Sequence, residues 1–171
     1  MADSRLKDAL VAVCEFTGWY NQQPAVRTGT DTANILRQLL HKVRFELSRV
    51  LEDAGLDSRF IKLGTGNGYV PRVPWVFVAK RSGAVSMTPG VAICFGREGN
   101  GLVLGAMLPI WDATPTVDRR EWRELPDFIN VDGVSGPTRY NRRFIDPTDC
   151  HVNQIDESLI VKVVKNGLEK L

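Results

Sequence analysis

Histidine and cysteine are scarce in this chain, with two and three residues respectively among 171. Cys14, Cys94 and Cys150 are odd in number for a disulfide set and too widely spaced for a zinc pattern. Cys14 and Cys94 sit in apolar runs and read as small core residues. Cys150 and His151 are adjacent potential ligands, but two are too few for a metal site. His41 falls inside a helical pattern, and His151 has no third partner with which to build a nucleophilic relay. No catalytic residue, metal or cofactor is therefore expected. Long hydrophobic runs are also missing, and no apolar leader follows Met1-Ala2-Asp3-Ser4-Arg5. The expectation is a cytoplasmic protein with no membrane partner. An overall excess of one charge is absent too: 22 Lys and Arg face 20 Asp and Glu. Any nucleic-acid surface must therefore be local rather than global.

What is present fits one ordinary domain spanning 1–171, long enough to bury a core without disulfides. Leu6, Leu10, Val13 and Phe16 recur at helical spacing behind an Asp3-Ser4 cap, and Gly18 can end that helix. A polar loop from Asn21 to Thr30 leads to a longer helix opened by Asp31 and closed by Gly55. Ile35, Leu36, Leu39, Leu40, Val43, Leu47, Val50 and Leu51 form its broad apolar face. The period then changes. Phe60–Leu63, Trp75–Ala79, Gly90–Phe95 and Leu102–Leu108 are short, apolar and bounded by turn residues, as strands are. Gly99-Asn100-Gly101 marks a hairpin. Arg119–Leu125 can form a short helix, Asp132–Asp149 reads as surface loop, and Ile155–Leu168 returns to helical spacing. The predicted class is mixed α+β: a mostly antiparallel sheet of four or more strands, packed by two N-terminal helices and a C-terminal one.

The local concentration of charge lies between Arg59 and Arg97. Six basic residues (Arg59, Lys62, Arg72, Lys80, Arg81, Arg97) occur there without a carboxylate. The same window holds Gly64-Thr65-Gly66-Asn67-Gly68-Tyr69 and then Pro71-Arg72-Val73-Pro74-Trp75. The glycines do not form a dinucleotide fingerprint, because Pro71 and Pro74 prevent the helix that must follow. They do not form a P-loop, because the Gly-Lys-Ser/Thr ending is missing. A tight strand connection is the plain alternative. Trp75 reads first as a core residue and the Lys80–Arg81 pair as a solvated strand end. Tyr69, among glycines in a loop, is as suited to stacking on a ligand as to packing. A second cluster, Arg139, Tyr140, Arg142 and Arg143, is suited either to phosphate or to surface ion pairs with nearby aspartates.

The run Phe60 to Phe77 resembles the N-terminal domain of the McrB family, the DNA-binding modules of modification-dependent restriction systems. Gly64, Gly66, Asn67, Pro74 and Trp75 match the family's Gly-x-Gly-Asn and Pro-Trp elements, and the next two strands follow its pattern. The resemblance implies a DNA-recognition module of a defence system that reads a modified cytosine, or another modified base, by flipping it into a pocket. It also implies double-stranded DNA as partner, with a GTPase motor and a nuclease attached or recruited. The chain departs from the family at Thr65 and Ala92, where aromatics are common. It also has a longer Asn67–Pro74 link that brings in Tyr69.

Residue roles follow from both readings. Lys62, Arg72, Lys80, Arg81 and Arg97 are expected to hold phosphates, and the Gly64, Gly66 and Asn67 backbone to approach the strand. Tyr69, Trp75 and Cys94 are the base-pocket candidates. Five phosphate contacts imply a slope of log K against log salt of roughly −4 to −5. The alternative is a protein-interaction or scaffold domain of the same fold that has lost the pocket, which the Thr65 and Ala92 departures favour. A metal nuclease using Asp112, Glu121 or Glu124 is the weakest reading, since those residues, like Asp118, suit helix starts and surfaces.

Overall fold

A computed structural model describes residues 4–66, 68–83, 88–109 and 142–171. Two helices, α1 (Arg5–Tyr20) and α2 (Asp31–Asp53), precede a five-stranded sheet, and α3 (Glu157–Glu169) follows it. The strands are β1 (Ile61–Gly64), β2 (Trp75–Ala79), β3 (Gly90–Phe95), β4 (Gly101–Pro109) and β5 (Arg142–His151). They lie side by side in chain order, and every neighbouring pair is antiparallel. The mixed α+β expectation holds, with one strand more than the four that the sequence marked. The predicted helix Arg119–Leu125 lies outside the described residues, as do Asp112, Asp118, Glu121 and Glu124.

Local chemistry sets the helix ends. The Ser4 hydroxyl accepts from the Lys7 amide at 3.3 Å, and the Thr30 hydroxyl caps α2 by accepting from Ala33. After Asp53 the chain makes a Schellman ending. Gly55 takes φ +74, its amide bonds the Glu52 carbonyl, and the Leu56 amide bonds the Leu51 carbonyl at 2.8 Å. Gly18 does not end α1. The helix runs on to Tyr20, and a Cβ at Gly18 would lie 2.9 Å from the Glu98 carbonyl oxygen. Its missing side chain lets α1 sit against the β3–β4 turn. Ile35, expected on the buried face of α2, is half exposed.

Both faces of the sheet are buried. Val76, Val78, Val91, Ile93, Phe95, Leu102 and Leu104 join the helices in the larger core. Phe77, Ala79, Ala92, Cys94, Val103 and Met107 line the other face, with Phe60, Trp75 and Phe144 packed on them. This explains why β3 is apolar at every position rather than alternating.

β5 corrects the expectation of a surface loop over 142–149. Leu104 pairs with Thr148 and Ala106 with Ile145, so Gly105 faces the two residues Asp146–Pro147 across a bulge. A Cβ on Gly105 would stand 2.9 Å from the Pro147 Cα. A proline in an edge strand survives at such a bulge, where a close partner without a side chain admits it.

Candidate nucleic-acid interface

The glycine loop between β1 and β2 crosses one end of the sheet and is fastened to both cores. Val70 is buried in the helix-facing core, and Val73 is buried in the opposite one. Gly66 has φ +91, and a Cβ there would run into the Tyr69 carbonyl oxygen and Pro71. Gly68 also has φ +84 but faces open space. These two positions need glycine for backbone reasons alone. Asn67 lies outside the described residues.

Tyr69 is 50% exposed at the crest of this loop. The loop beneath it is held by backbone bonds to the α1–α2 connection. The Thr28 amide donates to the Gly68 carbonyl at 3.1 Å, and the Val70 amide to the Val26 carbonyl at 2.8 Å. Arg27 pairs with Tyr69 in an isolated bridge, and its guanidinium carbon lies 5.6 Å from the ring centroid. The exposed cation and the exposed ring thus form a unit on a fixed backbone.

Tyr20 ties the same region together from inside. Its fully buried hydroxyl accepts from the Val26 amide and donates to the Val70 carbonyl, both at 3.1 Å. Phe16 stacks on its ring at 5.9 Å, and the Arg72 guanidinium lies 4.5 Å from the ring centroid. Arg72 also donates to the Tyr20 carbonyl at 2.7 Å, while its own carbonyl accepts from Asn21 at 2.8 Å. Arg72 is half buried and bound to the end of α1, so its geometry is that of a clamp on the loop.

Trp75 and Gly64 face each other across β1 and β2. The Trp75 indole occupies the space where a Gly64 side chain would begin, and the tryptophan packs onto the second core. Gly64 therefore makes room for Trp75. Cys94, beside Trp75 in register, is 1% exposed between β2 and β4. Tyr69 against the α1–α2 connection and Trp75 against the second core occupy different surroundings.

The cations divide between the two ends of the sheet. Arg72 and the half-buried Arg97, in the β3–β4 turn, are at the end that carries Tyr69 and Trp75; Arg97 is engaged within the molecule. The exposed Lys80 and Arg81 follow the far end of β2, roughly 13 Å away along that strand. Arg142 and Arg143 begin β5 at that same far end, paired with Pro109 and Leu108. Arg139 and Tyr140 lie outside the described residues. Lys62 is exposed on the edge strand, paired with Phe77. Arg59 is not uncompensated: Asp57, just outside the basic window, accepts from its guanidinium at 2.9 Å. Side-chain and then backbone hydrogen bonds from Arg59 hold the Asp57 carboxyl below its usual range.

Arg27 was not singled out from the sequence, because its partner Tyr69 is far away in the chain and only the folded loops bring them together. Burial first, then the Cys150 and Glu15 charges, push Cys14 up to about 12, and burial also raises Cys150. Among the described residues no group of three or more His, Cys, Asp or Glu is placed to hold a metal ion, and no helix is long and apolar enough to cross a membrane. Comparison with protein-family models, with curated proteins and with solved structures finds no match to this chain.

Proposed function

We propose that this domain is a DNA-recognition module that reads a modified base, with the Tyr69 loop as its contact with the extruded nucleotide. The observation that carries the reading is the Tyr69–Arg27 pair. A half-exposed aromatic ring stands on a fastened backbone with an exposed guanidinium beside it. Base stacking on such a ring contributes about 1–3 kcal/mol, and the cation serves a neighbouring phosphate. The motif residues Gly64, Gly66, Asn67, Pro74 and Trp75 supply the resemblance to the McrB DNA-binding modules, and with it the role in a restriction or defence system. A GTPase or nuclease partner belongs to the same proposal.

Division of the cations changes the expected salt response. One duplex across the Tyr69 end meets Arg27, Lys62 and the β3–β4 turn, not Lys80 and Arg81. The slope of log K against log salt then falls to roughly −2 to −3. Fluorescence anisotropy at low and moderate salt, with matched duplexes carrying cytosine, methylcytosine or hydroxymethylcytosine, tests the proposal. The expected result is tighter binding to one modified duplex, lost by at least tenfold in Tyr69→Ala. Absence of binding at low salt, or a Tyr69→Ala variant that binds as tightly as the parent, overturns it.

One observation favours the second reading, a protein-interaction domain of the same fold. Cys94 is closed within a packed face and so lacks the open position of a base-pocket wall, and the partly exposed Trp75 is held against Gly64. Equal failure of all three duplexes to bind selects that reading.

A further inference from the structure

The outer face of α2 carries a second candidate surface, unrelated to the glycine loop. Between Asp31 and Glu46 the helix contains Arg37, His41, Lys42 and Arg44 and no carboxylate. Glu46 does not offset them, because it is buried and bound to Arg49 at 3.0 Å. Phe45 is 68% exposed on this face, and Ile35, ten residues earlier, is 50% exposed. His41 and Lys42 lie four and three residues before Phe45, the spacing that makes helical side chains neighbours. Arg44 donates to the His41 Nδ1 at 2.8 Å, since a guanidinium can only donate, and Arg37 donates to Asn34 at 3.4 Å. His41 and Lys42 thus flank an exposed phenyl ring, with Arg44 joined to His41 and Arg37 about two turns back from the ring, and the two apolar side chains are separated by about 15 Å along the helix.

We propose that this face of α2 docks an acidic protein segment that carries an apolar anchor. Its charge is of one sign, which sets the sign of the partner. A nucleic acid would reward the cations and offer a base to Phe45, but it gives nothing to the aliphatic Ile35. An acidic amphipathic segment rewards both, with the anchor on the phenyl ring and carboxylates at the basic rim, the usual anatomy of a protein interface. The surface is independent of the DNA proposal and stands or falls without it.

The probe is a labelled helical peptide of about twenty residues, with Leu at i, i+3, i+4 and i+7 and Glu elsewhere, titrated against the full chain by anisotropy. A peptide with Lys in place of Glu is the control. The acidic peptide is expected to bind at low salt and to shift backbone amide resonances between 34 and 45; the basic one is not. Phe45→Ser and, separately, Lys42→Glu with Arg44→Glu are each expected to weaken binding at least tenfold, while Tyr69→Ala leaves it unchanged. These positions are exposed, and unchanged thermal melting of the variants confirms that they fold. Three results overturn the proposal: no binding of the acidic peptide, equal binding by the Phe45 and charge-reversed variants, or displacement of the peptide by a twenty-base-pair duplex that shifts the same α2 amides. The last assigns the face to nucleic acid.

Discussion

At Gly64 one methyl group separates a packed strand pair from a strained one. Its Cβ would enter the Trp75 indole, and the two residues are register partners that cannot slide apart. Gly64→Ala is expected to destabilise the fold by about 1–3 kcal/mol, the usual range for overpacking. Equilibrium urea unfolding measures this, and a variant within 0.5 kcal/mol of the parent would mean that the indole has room to move. Cys14 gives a prediction in pH. Its folded pKa is raised from 9.0 to about 12, so the folded state keeps its proton where the unfolded chain has lost it. The contribution is complete below pH 9 and disappears as pH rises through about 12. The stability of the parent is therefore expected to fall more steeply over that window than that of Cys14→Ala. Parallel curves from chemical denaturation would refute the assignment. Tyr69 and Arg27 show what sequence reading misses at this scale: each is plain as a residue type, but only the fold makes them neighbours.

Among the elements, α1 shows propensity and packing in direct conflict. Gly18 lies inside a helix, where alanine is ordinarily favoured by about 1 kcal/mol. The backbone of the β3–β4 turn is close enough that a Cβ would sit 2.9 Å from the Glu98 oxygen and 3.2 Å from the Gly99 Cα. Those are backbone atoms that cannot rotate away, so packing is expected to win. Gly18→Ala should lower the melting temperature, whereas a rise in it would show that propensity dominates. The ends of α2 were legible in the sequence because Asp31 at its start and Gly55 at its end each act on the backbone within a few residues of their own position. β5 was not legible. Its Pro147 argues against a strand until Gly105, on the neighbouring strand, is seen to accommodate the bulge. The inner positions of β2 and β3 were readable as strands, since a sheet buried on both faces leaves an unbroken apolar run.

For the molecule as a whole, Tyr20 is the point through which the helical layer holds the candidate site. Its hydroxyl bridges the α1–α2 connection and the glycine loop, at Val26 and Val70. Tyr20→Phe removes that bridge and leaves a part-buried amide and a buried carbonyl each short of a partner, at a cost of about 1–3 kcal/mol. Hydrogen exchange is expected to quicken at Val26, Thr28 and Val70 while the central strands keep their protection. If the proposed function is correct, duplex affinity falls too although the variant leaves Tyr69 in place. Unchanged exchange at those three amides would show that the backbone bonds alone hold the loop.

The sequence by itself determined the class of fold, both N-terminal helices, the first four strands of the sheet and the burial of Cys14 and Cys94. Each of those depends on a periodicity or a turn signal contained within a short window. Tertiary structure alone decided which basic residues share an end of the sheet, since antiparallel pairing brings the β3–β4 turn with Arg97 to the end of Trp75 and the start of β5 to the end of Lys80. It also decided that Arg72 clamps Tyr20, that Gly64 houses Trp75, and that Arg27 stands beside Tyr69. Those outcomes are contacts between distant parts of the chain, fixed by which loops the sheet brings to the same edge and not by any residue's own preference.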